Sequence, residues 1–345
     1  MNGEMCVSSK SVWVVSRSSA LQIVEGGYVA TLVTYCHQYG VFSSLHNFRS
    51  PRTVALQLGM DSQTLEVILD FLWRTTEVLE KRKGPQYRLA RVYQSYPLFA
   101  YHLDKFLVAY GLNLLNVDRI AKSPRSGARL VNQAALATAF HGADSGAPKA
   151  FVRILRESAI RVLLELGCGT APMSRSLARI DKSIVAWAVD MNSDMCTVAR
   201  SLVASEGLAE RVHIRQSTIA KLESVIPKRI RSRVDTLYAQ SVMNAFCSHG
   251  QAPALELLQG LRRVFPERRL FIVDYFGRLG TRISTKASEL HTILQDIVQA
   301  LSGQGIPPAG HQRWFALYDE AGCRVEGAYE GTDVGVHWFV HHVTL

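Results

Sequence analysis

The stretch Val162-Leu163-Leu164-Glu165-Leu166-Gly167-Cys168-Gly169-Thr170-Ala171-Pro172 reads as an apolar strand that runs into a glycine turn and then opens a helix. The glycines have a backbone role: the turn needs dihedrals closed to most residues, and it must let a ligand come close to main-chain N–H groups at the helix start. Pro172 suits the first turn of a helix. A G-x-G pair alone is weak evidence. Its position between a strand and a helix, with Asp190 at the end of the next apolar run (184–189), makes it a candidate ligand turn.

Outward from this turn the rhythm is strand, turn, helix. Short β-branched runs at 162–164, 184–189, 212–214, 234–238 and 270–273 alternate with helical segments, which implies an α/β fold with a doubly wound parallel sheet covered on both faces. In such a sheet a carboxylate at the tip of the second strand, here Asp190, reaches the hydroxyls of a ribose, so a nucleoside cofactor is expected. A dinucleotide is disfavoured. Position 172 is Pro where the third glycine of a pyrophosphate turn would stand, and Glu165 brings negative charge that suits an amino group or a sulfonium better than a phosphate.

Upstream the text changes. Residues 18–91 read as three short helices and a hairpin. Ile23, Val24, Tyr28, Leu32 and Tyr35 mark a first helix stopped by Gly40, and Ser50-Pro51 opens a second that Gly59 ends. Asp61-Ser62 caps a third, whose Leu65, Ile68, Leu69 and Leu72 form one stripe. After the turn Lys81-Arg82-Lys83-Gly84-Pro85, Gln86–Leu89 reads as a strand, which makes the front end similar to a winged helix. Its third helix carries Asp61, Gln63, Glu66 and Asp70, too acidic for DNA reading, so the module is expected to dimerise. Three domains follow from this division: 1–92 winged-helix-like, 93–158 a helical connector covering the site, and 159–345 the Rossmann-like sheet.

Glu165-Leu-Gly-Cys-Gly-Thr170, Asp190 and the strand–helix alternation resemble the class I S-adenosylmethionine-dependent methyltransferases. The winged-helix-like front narrows the resemblance to small-molecule O-methyltransferases of the acetylserotonin type, which occur in plants and in bacterial secondary metabolism. The likeness spans about residues 18–345 and implies S-adenosylmethionine (SAM) as cofactor. By position it implies that Gly167 and Gly169 line the methionine part, that Asp190 holds the ribose, that Met191 flanks the adenine, and that Ser217 and Thr218 form the adenine loop. Tyr110 and Phe140 of the connector, with Phe246, would wall the substrate pocket.

The chain departs from that pattern at Gln240-Ser241-Val242-Met243-Asn244-Ala245-Phe246, where Asn244-Ala245-Phe246 stands in place of the family's His-Asp-Trp. A phenol of pKa near 10 must lose its proton as it attacks, and a neighbouring imidazole can take it whereas an amide cannot. Asn244, with Ser241, can orient a substrate but is no general base. His141 is the first replacement candidate, followed by His249 and His291. An acidic partner for the adenine amino group is also missing near Thr218, where a hydroxyl must serve.

Composition narrows function by exclusion. The 345 residues, 48% hydrophobic and 20% charged, describe an ordinary globular chain of about two domains. A formal charge of +10 favours anionic partners. Yet the basic runs Lys228, Arg229, Arg231, Arg233 and the pairs Arg262–Arg263 and Arg268–Arg269 lack interleaved aromatics, so nucleic acid is not expected. The six scattered cysteines, Cys6, Cys36, Cys168, Cys196, Cys247 and Cys323, give no disulfide or zinc pattern, and with no membrane-length apolar run a reducing cytoplasm is expected. The alternating His337, His341 and His342 near the end read as a last strand with one wet face and no metal. The expected function is methyl transfer to a small nucleophile that needs no His base. The alternative is a cyclase in which the α-amine of SAM closes on its own γ-carbon to give azetidine-2-carboxylate and methylthioadenosine. A third option is a regulator that binds cofactor without turnover.

Overall fold

A computed structural model of the chain describes residues 21–96, 98–142, 149–247, 250–278, 287–333 and 336–345. The chain divides into two compact units, the first ending at Leu107 and the second starting at Val108.

The first unit contains helices Gln22–Gln38, Val41–Ser44, Pro51–Leu58 and Ser62–Thr75, followed by the antiparallel hairpin of β1 (Leu79–Arg82) and β2 (Gln86–Leu89). The punctuation works as the sequence predicts. Gly40 and Gly59 take left-handed dihedrals at helix ends, Ser50 Oγ accepts from Thr53 N–H at 3.2 Å, and Asp61 Oδ1 accepts from Thr64 N–H at 2.7 Å. A one-turn helix at Val41–Ser44 is additional to the three expected. The first helix also faces differently from its apolar pattern. Val33 and Cys36 enter the core while Ile23, Val24 and Tyr28 point to solvent, because apolar residues surround this helix and their spacing does not single out one face.

In the second unit β3 (Val162–Leu166), β4 (Val185–Asp190), β5 (Val212–Gln216), β6 (Thr236–Gln240) and β7 (Arg269–Tyr275) are parallel. β8 (Arg324–Asp333) and β9 (Val336–Thr344) add an antiparallel edge, giving the order β5-β4-β3-β6-β7-β9-β8. Every residue of β3 is buried, as a strand covered on both faces requires. One face carries Leu164, Leu166, Val189, Leu237, Ile272 and Phe339 under Trp314 and Tyr318; the other carries Leu163, Ala186, Ala188, Tyr238 and Phe271 under Phe151 and Leu177. The chain winds from β3 through β4 to β5 on one side and then returns to β6 on the other. The order therefore reverses beside the tip of β3, the place where open α/β sheets bind ligands.

The closing strand departs from the expected wet face. His341 is completely buried and His342 stacks on Phe271 with ring centres 4.5 Å apart, because β9 is an interior strand between β7 and β8. Among the described residues no group of three His, Cys, Asp or Glu is arranged to hold a metal ion, and no helix is long and apolar enough to cross a membrane.

Candidate active site

The turn after β3 takes positive φ at Gly167 (57°), Gly169 (52°) and Ala171 (58°) before helix Pro172–Ile180 begins. The two glycines serve different needs. A Cβ on Gly167 would lie 2.5 Å from Val242 Cγ2, so Gly167 lets the tip of β6 close on the turn; a Cβ on Gly169 would meet nothing within 4 Å, so its backbone faces open space. The Gly169 N–H donates to Asp190 Oδ2 at 2.8 Å and the Asn192 N–H donates to Oδ1 at 2.8 Å, which fixes the carboxylate across the switch point. Burial pushes the Asp190 carboxyl up, and the N–H groups of Asn192 and Gly169 oppose the shift. Each oxygen keeps a further lone pair for a ligand hydroxyl. Met191 beside it is 72% exposed, Ser217 is half-buried with its N–H on the Asp190 carbonyl at 2.9 Å, and Thr218 is exposed.

Glu165 holds the start of the helix that follows the turn. Its side chain points to the sheet face under helix Pro172–Ile180, where Oε2 accepts from Ser174 N–H at 2.8 Å and from the Ser174 hydroxyl, and Oε1 accepts from Met173 N–H at 3.4 Å. It caps the helix that the glycine turn opens. Burial raises its carboxyl to about 7, opposed by those Ser174 and Met173 hydrogen bonds and by Arg175.

At the tip of β6, Ser241 is exposed and held at φ 52°, a strained conformation for a residue with a Cβ. Asn244 follows in the short turn Met243–Phe246 and is almost fully buried. Its Nδ2 donates to Gln304 Oε1 at 3.3 Å and its carbonyl accepts from Gly305 N–H at 3.0 Å, while Oδ1 has no hydrogen-bond partner among the described residues. Phe246 is half-buried against the same core. The sequence reading missed Asp274, the next neighbour. It sits near the end of β7, 3% exposed, with Oδ1 accepting from Tyr275 N–H at 2.9 Å and Oδ2 unpartnered among the described residues. Burial raises its carboxyl to about 7, against hydrogen bonds from the backbone of Tyr275 and Asn244. A signal was present in Phe271-Ile-Val-Asp274-Tyr, a lone carboxylate inside an otherwise apolar strand.

Of the connector residues, Tyr110 is buried, Phe140 is 38% exposed and His141 is exposed. Phe140 and His141 lie on helix Gln133–Gly142, which packs on helix Ser193–Ser205 and whose Gln133 Oε1 accepts from Asn192 Nδ2 at 2.5 Å. That joins the helix to the tip of β4. His249 lies outside the described residues, as does the side chain of His291.

The two raised carboxyls bear on stability. Glu165 and Asp274 hold protons more tightly in the folded chain than their ordinary values of 4.5 and 3.8 allow, so their contribution is complete below pH 4 and is lost as pH rises through about 7. Asp274→Asn is therefore expected to raise the melting temperature at pH 8 and to leave it nearly unchanged at pH 4. Calorimetric scans of both proteins at the two pH values measure this, and an equal shift at both would contradict it.

Residues 157–322 match a family described as a methyltransferase domain. No curated protein matches by sequence. Among solved structures, mitomycin 7-O-methyltransferase MmcR is similar with a TM-score of 0.70 at 15% identity, over 97% of this chain and 99% of that one. Human N-acetylserotonin methyltransferase, solved with SAM, gives 0.71 at 12% identity over 100% and 99%. RosA from Streptomyces davawensis, an N,N-8-amino-8-demethyl-D-riboflavin dimethyltransferase, gives 0.60 at 17% over 95% and 99%. Residues 157–322 are thus similar to a methyltransferase domain, and the chain shares the fold of these solved structures over nearly its whole length.

Proposed function

We propose that the protein is a SAM-dependent methyltransferase that acts on a small molecule whose nucleophile needs no His base. The observation that carries this reading is the Gly169–Asp190 hydrogen bond across the sheet's switch point, beside a glycine backbone that faces open space. The residues fit SAM. The open side of Gly169 admits a ligand to the turn, Asp190 offers lone pairs to a ribose, and Met191, Ser217 and Thr218 border the adenine end. Gly167 and Gly169 would line the methionine part, and Glu165 would act on it by holding the helix start. When bound, SAM supplies a methyl group already activated on a sulfonium.

The chain's own residues then align the acceptor and manage its proton. Asn244, fixed by Gln304 and Gly305, orients the nucleophile, with Ser241 at the rim. Asp274 takes the role left open by the missing histidine. A buried carboxyl raised to about 7 is matched to proton transfer near neutrality, as a general base should be. His141, exposed on its helix, is the weaker candidate. Tyr110, Phe140 and Phe246 would wall the acceptor, and exclusion of water strengthens each polar contact. RosA shows by its name that a chain of this fold can act on an amino nitrogen, a nucleophile of the kind proposed here. The helical first unit, winged-helix-like in its element order, would pair two copies through the exposed apolar side of its first helix, where Ile23 is 77% exposed. A cytoplasmic role in secondary metabolism is the matching setting.

Incubation with SAM, alone and with panels of amines, thiols and phenols, followed by mass spectrometry, tests this reading. Adenosylhomocysteine formed only with an acceptor is the expected result. Methylthioadenosine and a cyclic amino acid from SAM alone would instead establish the cyclase, and tight binding with no product under any condition would favour the regulator.

A further inference from the structure

Outside the cofactor turn, one polar chain crosses the core. Tyr318 and His341 are fully buried, and the Tyr318 hydroxyl lies 2.9 Å from His341 Nδ1. His341 Nε2 lies 2.7 Å from His311 Nδ1, and His311 Nε2 meets Glu330 Oε1 at the surface. Glu330 Oε2 also pairs with His337 Nε2 at 3.0 Å. Trp314, Phe315 and Phe339 enclose the His341 ring, which sits 4.1 Å from that of Phe339.

With the His311 ring neutral, the direction of every hydrogen bond in this chain follows from its outer end. A carboxylate such as Glu330 can only accept, so His311 Nε2 carries a proton and, in a neutral ring, Nδ1 does not. His341 Nε2 must then donate to it and His341 Nδ1 must accept, so Tyr318 donates its single hydroxyl proton outward. Burial and the neighbouring His311 lower His341 to about 3, which keeps its ring neutral as this requires. The Tyr318 oxygen is left with acceptor lone pairs on its inner side.

Asp274 shares that side of the sheet. In the β7–β9 register Asp274 pairs with Phe339 and Ile272 with His341, so Asp274 and His341 are diagonal neighbours on the face that helix His311–Glu320 covers. The carboxylate is near enough to disfavour ionisation of Tyr318. Among the described residues, the other titratable groups near the pair include Tyr275 on the same strand, whose hydroxyl donates to Asp296 at 2.9 Å, Cys247 after the Met243–Phe246 turn and Cys323 beyond the helix.

We propose that Glu330, His311 and His341 are positioning residues that fix the direction of the Tyr318 hydroxyl, so that its oxygen accepts from protonated Asp274 across one water. It rests on Asp274 being the proton acceptor of the active site. Hydrogen bonding to the neutral carboxyl favours that form. With the chain reversed, by a surface partner that donates to His311 Nε2 and a His341 that donates to Tyr318, the hydroxyl proton turns inward and favours the ionised form instead. In this coupling each imidazole loses its proton at Nε2 and regains one at Nδ1 by exchange with water, and the hydroxyl turns, so the number of protons on each group is unchanged.

A double-mutant cycle read by infrared spectroscopy tests this without any methyl acceptor. The protonated-carboxyl band of Asp274, identified by its loss in Asp274→Asn, is titrated with pH in the unmodified protein, Glu330→Gln, Tyr318→Phe and the double variant. A glutamine at position 330 can donate as well as accept, so Glu330→Gln is expected to move the midpoint to lower pH by about one unit, the worth of one hydrogen bond. In the Tyr318→Phe background the same change is expected to move nothing, because the hydroxyl that transmits it is gone. An equal shift in both backgrounds would show a through-space charge effect, and no shift in either would show no coupling; each overturns the inference while leaving Asp274 as a titrating base. Absence of any band lost in Asp274→Asn would overturn the assignment of Asp274 itself.

Discussion

Replacing Asp190 with alanine is expected to weaken SAM binding by roughly 2–4 kcal/mol, the worth of two charge-assisted hydrogen bonds to ribose hydroxyls, which corresponds to about 30- to 1,000-fold in Kd. The structure adds a second reason for a large effect. Asp190 also holds Gly169 N–H and Asn192 N–H, both at 2.8 Å, so the substitution releases the glycine turn and the start of helix Ser193–Ser205 together. Asp190→Asn separates the two contributions. It is isosteric, but its NH2 group cannot accept from one of the two backbone N–H groups, so it should bind better than the alanine variant and less well than the native chain. Calorimetric titration of folded protein measures all three, and an unchanged affinity in Asp190→Ala would refute the ribose role.

The second large effect is expected at Gly167. An alanine there must hold φ near 57°, which costs an L-residue about 1–2 kcal/mol, and its methyl would overlap Val242 Cγ2, with overpacking adding about 1–3 kcal/mol. Gly169→Ala should cost only the backbone strain, because its Cβ meets nothing within 4 Å. It should instead weaken SAM binding, since the methyl would occupy the space left for the ligand. Urea denaturation is therefore expected to rank Gly167→Ala as less stable than Gly169→Ala, while titration with SAM ranks the folded Gly169 variant below the native chain. Val242→Ala introduced into Gly167→Ala should recover part of the lost stability. Equal stability of the two glycine variants would show that the turn does not need the close approach of β6.

The two glycines also illustrate what could be read before the fold was seen. A strand, a G-x-G turn, Pro172 and an acidic residue at the next strand end are local signals, and each arises from backbone geometry within a few residues. The helix stops at Gly40 and Gly59 and the caps at Ser50 and Asp61 were legible for the same reason. The hydrogen bonds of Glu165 to the helix start were not legible, because its position in the chain fixes only the strand tip, whereas the face it turns to is set by the pairing of β3 with β4 and β6. The roles proposed for Asp274 and His341 were not legible because they depend on tertiary packing. An isolated carboxylate or histidine in an apolar strand says nothing about which partner a distant helix brings over it. His341 in particular was assigned to a solvent face, and only the placement of β9 between β7 and β8 buries it. The exposed Ile23 and Tyr28 teach the converse point, that an apolar residue on a helix need not face its own core.

The central claim is that the turn 167–169 and Asp190 together hold SAM, and a crystal structure of the protein grown with SAM addresses it most directly. The expected result is the ribose hydroxyls on the Asp190 carboxylate, the methionine part along Gly167 and Gly169, and the sulfonium methyl directed toward Asn244 and Asp274. A nucleoside bound away from Asp190, or a switch point that stays free of ligand at saturating SAM, would contradict it.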